Sequence, residues 1–161
     1  MHEFLKVVAL ALFMFLVSCG LGEDSPRFAI EQFSVAPNPT VEPTAGSPSS
    51  VKFIWKINTN KGFTAALSLV PEGASEEALR TATTQAYVDC AGKCQSGTYE
   101  SVCSVSIVQD QPNLRFLRCD DPTGLVLSPG RYRYRAGGGT IATGLNNKVA
   151  ENSVIGVISI N

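Results

Sequence analysis

The sequence predicts an all-β domain of antiparallel strands, held by disulfides and preceded by an apolar N-terminal leader. Three observations carry that reading. From Arg27 onward, short alternating segments are separated by Pro, Gly and Ser clusters, as in β-sandwiches and barrels. Four cysteines follow Cys19, an even number in a chain that opens like an exported one. Residues 7–17, VVALALFMFLV, form eleven uninterrupted apolar residues, the length of a signal-peptide core and well short of a membrane-spanning helix.

The leader comes first in the chain. Lys6 precedes the apolar run, and Glu3 partly offsets its charge. Leu16, Val17, Ser18 and Cys19 then resemble the lipobox of bacterial lipoproteins: a branched apolar residue first, small residues before the cysteine, and the cysteine itself. The resemblance covers the first nineteen residues. It implies a diacylglycerol on the Cys19 sulfur, cleavage after Ser18 and acylation of the new amino terminus, with residues 1–18 as a signal helix that is removed. One acyl chain binds a membrane marginally, whereas several on one residue hold a protein firmly, so Cys19 is expected to be an anchor. Gly20 rather than an aspartate follows it, which by the same resemblance favours the outer membrane of a Gram-negative envelope. Residues 19–26 then act as a lipidated tether, whose seven residues after the cysteine reach roughly 25 Å at about 3.5 Å per residue.

Without residues 1–18 the chain keeps 143 of its 161 residues, enough for one domain over residues 27–161 with a sizeable core. Glu3 and Lys6 leave together, so the net charge stays at −1 and gives no support to a nucleic-acid partner. The only histidine is His2, inside the leader. The remaining chain therefore holds no Ser-His-Asp triad, no Cys-His dyad and no histidine-ligated zinc or haem. No cofactor or metal is expected.

Within the domain, RFAIEQFSVAP alternates Phe28 and Ile30, then Phe33 and Val35, as an edge strand with a break would. The proline-rich PNPTVEPTAGSPSS reads as a loop and strand crossover between two strand patterns. SVKFIWKIN sets Val51, Phe53, Trp55 and Ile57 on one face of a core strand, and TAALSLVPEG is another strand ending at a proline. The long connection EGASEEALRTATTQAYVDCAGKCQSG has room for a short helix capped by Ser75. NSVIGVISIN serves as the last strand.

TYESVCSVSIVQDQPNLRFLRCDD holds two alternating strands around QDQPN, with Gln111 midway between Cys103 and Cys119. A hairpin closing there sets those cysteines opposite each other, with Val105 facing Leu117, and cross-strand neighbours lie within disulfide reach. Cys90 and Cys94 then close the small loop CAGKC. Thioredoxin-type redox motifs space their cysteines by two residues and open a helix, which CAGKC does not. Four thiolates without paired CxxC knuckles also match no usual zinc spacing.

FSVAPNPTVEP followed by SVKFIWKI resembles the opening of bacterial immunoglobulin-like and fibronectin type III-like domains: a strand, a proline-marked turn, and a second strand ending on a buried tryptophan. LSPGRYRYRA, residues 127–136, resembles the turn and penultimate strand of the same families. The resemblance implies an antiparallel β-sandwich. It also implies a tyrosine hydroxyl bonded back to the turn backbone, a role for Tyr132 or Tyr134.

Two stretches are candidate contact sites. In RYRYR, alternation puts Tyr132 and Tyr134 on one face and Arg131, Arg133 and Arg135 on the other: a basic stripe for an anionic partner, or a solvated strand face. AGGGTIATGLNN, including Gly137, Gly138 and Gly139, reads as a flexible loop between the last two strands, at an end of the domain where such folds bind partners. It lacks the Gly-Lys-Ser/Thr ending of a phosphate loop. Glu76–Glu77 and Asp120–Asp121 are sequence neighbours and make no catalytic pair, which needs carboxylates from separate segments. The expected function is non-enzymatic: binding or scaffolding at the cell envelope, as an accessory subunit of a surface or secretion assembly. Its expected partners are membrane lipid through Cys19 and an envelope protein. The alternatives are an adhesin or enzyme-inhibitor module, and an envelope hydrolase using carboxylates.

Overall fold

Alternate residues of a strand point to opposite sides, so SVKFIWKIN can bury one side completely. In the structure, a computed structural model describing residues 25–36, 40–41, 43, 47–119, 124–141 and 150–161, Val51, Phe53, Trp55 and Ile57 are each at most 1 % exposed. They belong to β3 (Ser49–Thr59). The other elements are β1 (Phe28–Ala36), β2 (Thr40–Val41), β4 (Phe63–Pro71), α1 (Glu76–Thr81), β5 (Thr84–Cys90), β6 (Gly97–Val108), β7 (Gln111–Arg118), β8 (Leu125–Leu127), β9 (Gly130–Thr140) and β10 (Glu151–Ile160). Cys19 with its leader, Asp120 and Asp121 lie outside the described residues. No helix among the described residues is long and apolar enough to cross a membrane.

The strands form two five-stranded sheets, ordered β1-β3-β6-β7-β8 and β2-β10-β9-β4-β5. All pairings are antiparallel except the short parallel one between β2 and β10. The proline-rich crossover thus carries the chain from the edge of the first sheet to the edge of the second, a place where a missing backbone donor is tolerated. The sheets meet face to face. Phe28 of β1 packs on Phe63 of β4, Phe33 of β1 on Tyr134 of β9, and Phe63 on Tyr99 of β6, with ring centroids 5.7, 4.8 and 4.8 Å apart.

The break in β1 is a register shift between Ile30 and Gln32. It lets Phe28, Ile30 and Phe33 all face the core although their spacing is not strictly alternate. Beside it the Ile30 N–H donates to Asn152 Oδ1 of β10 at 3.0 Å, which ties the two sheets together.

Cys103 and Cys119 are bonded, with Cα atoms 4.0 Å apart, and Val105 faces Leu117 as the alternation predicts. The hairpin apex differs. Val108 pairs with Gln111, so Gln109 and Asp110 make the turn and Gln111 opens β7. Asp110 adopts φ of 63°, the left-handed conformation that Asp tolerates better than most residues. A register irregularity between Ile107 and Val108 then absorbs Pro112, Asn113 and Leu114. Arg115 occupies it, donating from Nη1 to the Pro112 and Leu114 carbonyls at 2.7 and 3.2 Å and from Nε to the Asn161 carbonyl at 2.8 Å. Beyond it the predicted register resumes.

Cys90 and Cys94 form the second disulfide, across a loop in which Gly92 sits at φ of 83°. In the long connection, Ser75 Oγ accepts the Ala78 N–H at 3.1 Å and caps α1, and Leu79 is fully buried. The same connection also contains β5, which sequence patterning passed over. Gln85-Ala86-Tyr87-Val88-Asp89 alternates polar and apolar, and β5 pairs along the edge of β4 with Ala86 and Val88 in the core.

The disulfide across β6 and β7 closes a chain separation of 16 residues, so the Cys103→Ala/Cys119→Ala variant is expected to lose about 3 kcal/mol of stability in urea denaturation. The Cys90→Ala/Cys94→Ala variant, closing a separation of only 4, should lose clearly less. An equal loss would show that the small loop is held by more than chain entropy.

Candidate functional site

β9 runs through the middle of the second sheet, between β10 and β4. Its alternation is as the sequence predicts. Tyr132 is buried and Tyr134 half-buried on the core side, while Arg131, Arg133 and Arg135 lie on the outer side. Tyr132 Oη donates to the Ser128 carbonyl at 2.6 Å, pinning the strand to the turn before it. Of the two tyrosines, Tyr132 therefore holds the turn, whereas the Tyr134 hydroxyl fills the space a side chain on Gly156 would need.

The glycines depart from the prediction. Gly137, Gly138 and Gly139 are not a loop: they continue β9 and pair with β10 on one side and β4 on the other. Of the predicted loop, residues 142–147 lie outside the described residues. A β-carbon on Gly138 would run into the Thr64 carbonyl oxygen and stand 2.6 Å from Ala65 Cα, so the strands approach too closely for any other residue. Three glycines in a row read as a loop because glycine weakens strands, but two well-formed neighbours supply the ladder that the residues themselves do not favour.

The arginines are not equivalent. Arg131 Nη2 lies 3.1 Å from Glu72, and both side chains are largely exposed, a pair of little energetic weight. Arg133 is half-buried: Nη2 reaches Glu76 at 2.6 Å and Nη1 donates to the Ala74 carbonyl at 3.3 Å, fastening α1 to the sheet. Arg135 has no acidic partner among the described residues. Its guanidinium lies along the strand over Gly137, with Cζ 3.4 Å from where a β-carbon would stand.

Register assigns the neighbours on this outer face. Ile155 and Val157 of β10 lie across from Arg135 and Arg133, and Ser68 and Val70 of β4 lie on the other side. The next row is Ser153, Gly137, Ala66 and Tyr87. Tyr87, Ile155 and Val157 are 44 %, 48 % and 38 % exposed, unusual for large apolar side chains. Small residues form the floor between them. None of the three apolar residues stood out in the sequence as a contact residue, because alternation alone does not tell which strand face a second layer covers. The first sheet carries a second candidate, a solvent-open hollow of about 410 Å³ beside Val102 and Arg118.

No group of three or more His, Cys, Asp or Glu among the described residues is arranged to hold a metal ion. Comparison with protein families, with curated proteins and with solved structures gives no match.

Two outcomes follow from this geometry. Gly138→Ala is expected to lower stability by about 2 kcal/mol or more, because the obstructing atoms are backbone and cannot swing away; an unchanged melting temperature would refute the close approach. Burial raises the pKa of Tyr132 and of Tyr134 above the ordinary phenol value. The folded state thus favours the neutral phenols, and their contribution is complete below about pH 10 and lost as pH rises through the raised values. Urea denaturation should show stability falling in that alkaline range, and Tyr132→Phe should cost about 1 kcal/mol at neutral pH while making the fall shallower.

Proposed function

We propose that this chain is a lipid-anchored protein of the bacterial cell envelope that presents an immunoglobulin-like β-sandwich as a binding or scaffolding module. The lipobox-like residues Leu16 to Cys19 support the anchor, with the outer membrane as its site and acylated Cys19 as its contact with lipid. The immunoglobulin-like assignment is supported by the strand order. β1, β3 and β6 lie side by side in one sheet, and β10, β9, β4 and β5 in the other, with β2 running parallel to β10. The Tyr132 bond to Ser128 supports it too. β7 and β8 extend the first sheet beyond that plan.

The observation that carries the functional reading is the outer face of the second sheet, where exposed Tyr87, Ile155 and Val157 surround an arginine with no acidic partner among the described residues. Exposed apolar side chains gathered on one face mark an interaction surface, whereas scattered ones need no explanation. An accessory subunit of a surface or secretion assembly would use such a face on a fixed envelope protein.

The experiment replaces Tyr87 or Ile155 by a photo-crosslinking amino acid in the full-length protein in a bacterial envelope, with Val102 and Val126 of the first sheet as controls. Defined protein crosslinks from the second sheet alone are the expected result; equal capture from both sheets would overturn the assignment of the face. For the anchor, Cys19→Ala is expected to move the protein out of the membrane fraction and block processing, and unchanged fractionation would remove the lipid from the proposal.

A further inference from the structure

A guanidinium on an otherwise apolar contact surface imposes a condition on whatever covers it. Left unpaired beneath a partner it would be a buried charge, which is strongly unfavourable; paired with a carboxylate it contributes two directional hydrogen bonds. Arg131 and Arg133 meet that condition within the chain through Glu72 and Glu76. Arg135 has no acidic partner among the described residues, and its guanidinium lies beside Gly137, with Ile155 of β10 and Ser68 of β4 across from it in register. A larger residue than glycine at position 137 would meet the guanidinium and Ser153 Cβ, so the seat depends on that glycine.

We infer that this patch docks an extended acidic segment of a protein partner, with an Asp or Glu carboxylate on Arg135 and aliphatic side chains on Ile155 and Val157. The inference rests on the binding-module reading and names its partner's chemistry. Ile155 and Val157 are two residues apart on one face, the spacing at which an extended chain presents successive side chains to the same side. The apolar pair favours a protein over a small anion. A uniformly anionic polymer is disfavoured for a second reason. Asp89 and Glu151 flank the row beyond Gly137, two rows from Arg135 and beside Thr64 and Gly139, and have no ion pair among the described residues, so they repel negative charge that extends beyond the Arg135 seat.

The test uses the whole chain and two synthetic peptides, repeats of Val-Ser-Glu-Ser and of Val-Ser-Lys-Ser, which present valine and the charged residue on one face of an extended chain, followed by NMR of the Arg135 side-chain N–H and the Ile155 and Val157 methyls. The glutamate peptide should shift all three saturably and the lysine peptide none of them. Arg135→Gln should weaken binding about tenfold, and Arg135→Lys less, because an ammonium keeps the charge without the planar fork. Gly137→Val, which keeps the charge but fills the seat, should weaken it as well; melting temperatures of all variants check that they fold. Equal response to both peptides, no response at these residues, or saturation at Val102 and Val126 instead would overturn the inference. So would a response to polygalacturonate where the glutamate peptide gives none, which would assign the seat to an acidic glycan. Crosslinks from Ile155 that persist when the peptide fails would overturn the acidic partner and leave the binding-module reading standing; loss of both removes both.

Discussion

The burial of Trp55 between the two sheets is the interaction around which the rest of the structure is arranged. Its side chain is 0 % exposed and meets Phe33 edge-on at 5.1 Å. Its indole N–H has no hydrogen-bond partner among the described residues, a cost of about 1–3 kcal/mol. Removing some 150–250 Å² of mostly apolar surface from water is worth about 4–6 kcal/mol at ~25 cal/mol per Å², so burial wins over the lost bond. The same indole demands a deep core, and the neighbours comply. Phe33 reaches it because the register shift in β1 turns that residue inward, and beside the shift the Ile30 N–H is bonded to Asn152 of the opposite sheet. The bulge that serves the indole thus lies next to a tie between the sheets.

That core leaves the two faces of the second sheet with different fates. The inner face is filled. On the outer face, α1 covers one end: Leu79 is fully buried, Val70 beneath is 8 % exposed, and Arg133 holds the helix through Glu76 and the Ala74 carbonyl. A helix of 6 residues cannot cover a five-stranded sheet. The middle of the sheet therefore stays open where Arg135, Ile155 and Tyr87 lie. The face proposed for binding is rigid, since β9 and β4 beneath it are paired on both sides and tied to the core through Tyr132, Ala65 and Leu67. A rigid flat surface loses little conformational freedom when a partner orders against it.

The parts of this fold that could be read from the sequence are those set by alternation within a strand or by a covalent bond. Val51, Phe53, Trp55 and Ile57 needed only a period of two, and Cys103 with Cys119 needed only a hairpin centre. Ser75 capping a short helix and the alternation of RYRYR belong to the same local class. What could not be read depended on neighbours far along the chain. β5 is short, rich in polar residues and stable only against the edge of β4. Gly137 to Gly139 are strand because β4 and β10 are there to pair with them, and nothing within the triplet says so. The open face is the same kind of feature. Ile155 and Val157 look like ordinary core-facing residues of a last strand until the structure shows that the core side belongs to Ile158 and Ile160.

The three glycines finally separate packing from function. Gly138 is required by the close approach of Ala65, and Gly139 by the Ala150 carbonyl, which a β-carbon would meet at 2.8 Å. Gly137 is under a milder constraint. Its β-carbon would meet Ser153 Cβ at 3.2 Å, which is fixed to β10 and would have to shift, and the end of Arg135 at 3.4 and 3.5 Å, which can swing away. Glycine in a strand costs roughly 0.5–1 kcal/mol relative to alanine, a cost that this close pairing offsets in part. Its remaining effect is on the surface: it lets the Arg135 guanidinium lie down on the sheet instead of standing away from it. Room beside Gly137 keeps the guanidinium close to the face from which a carboxylate would approach, where its planar fork can bond both oxygens.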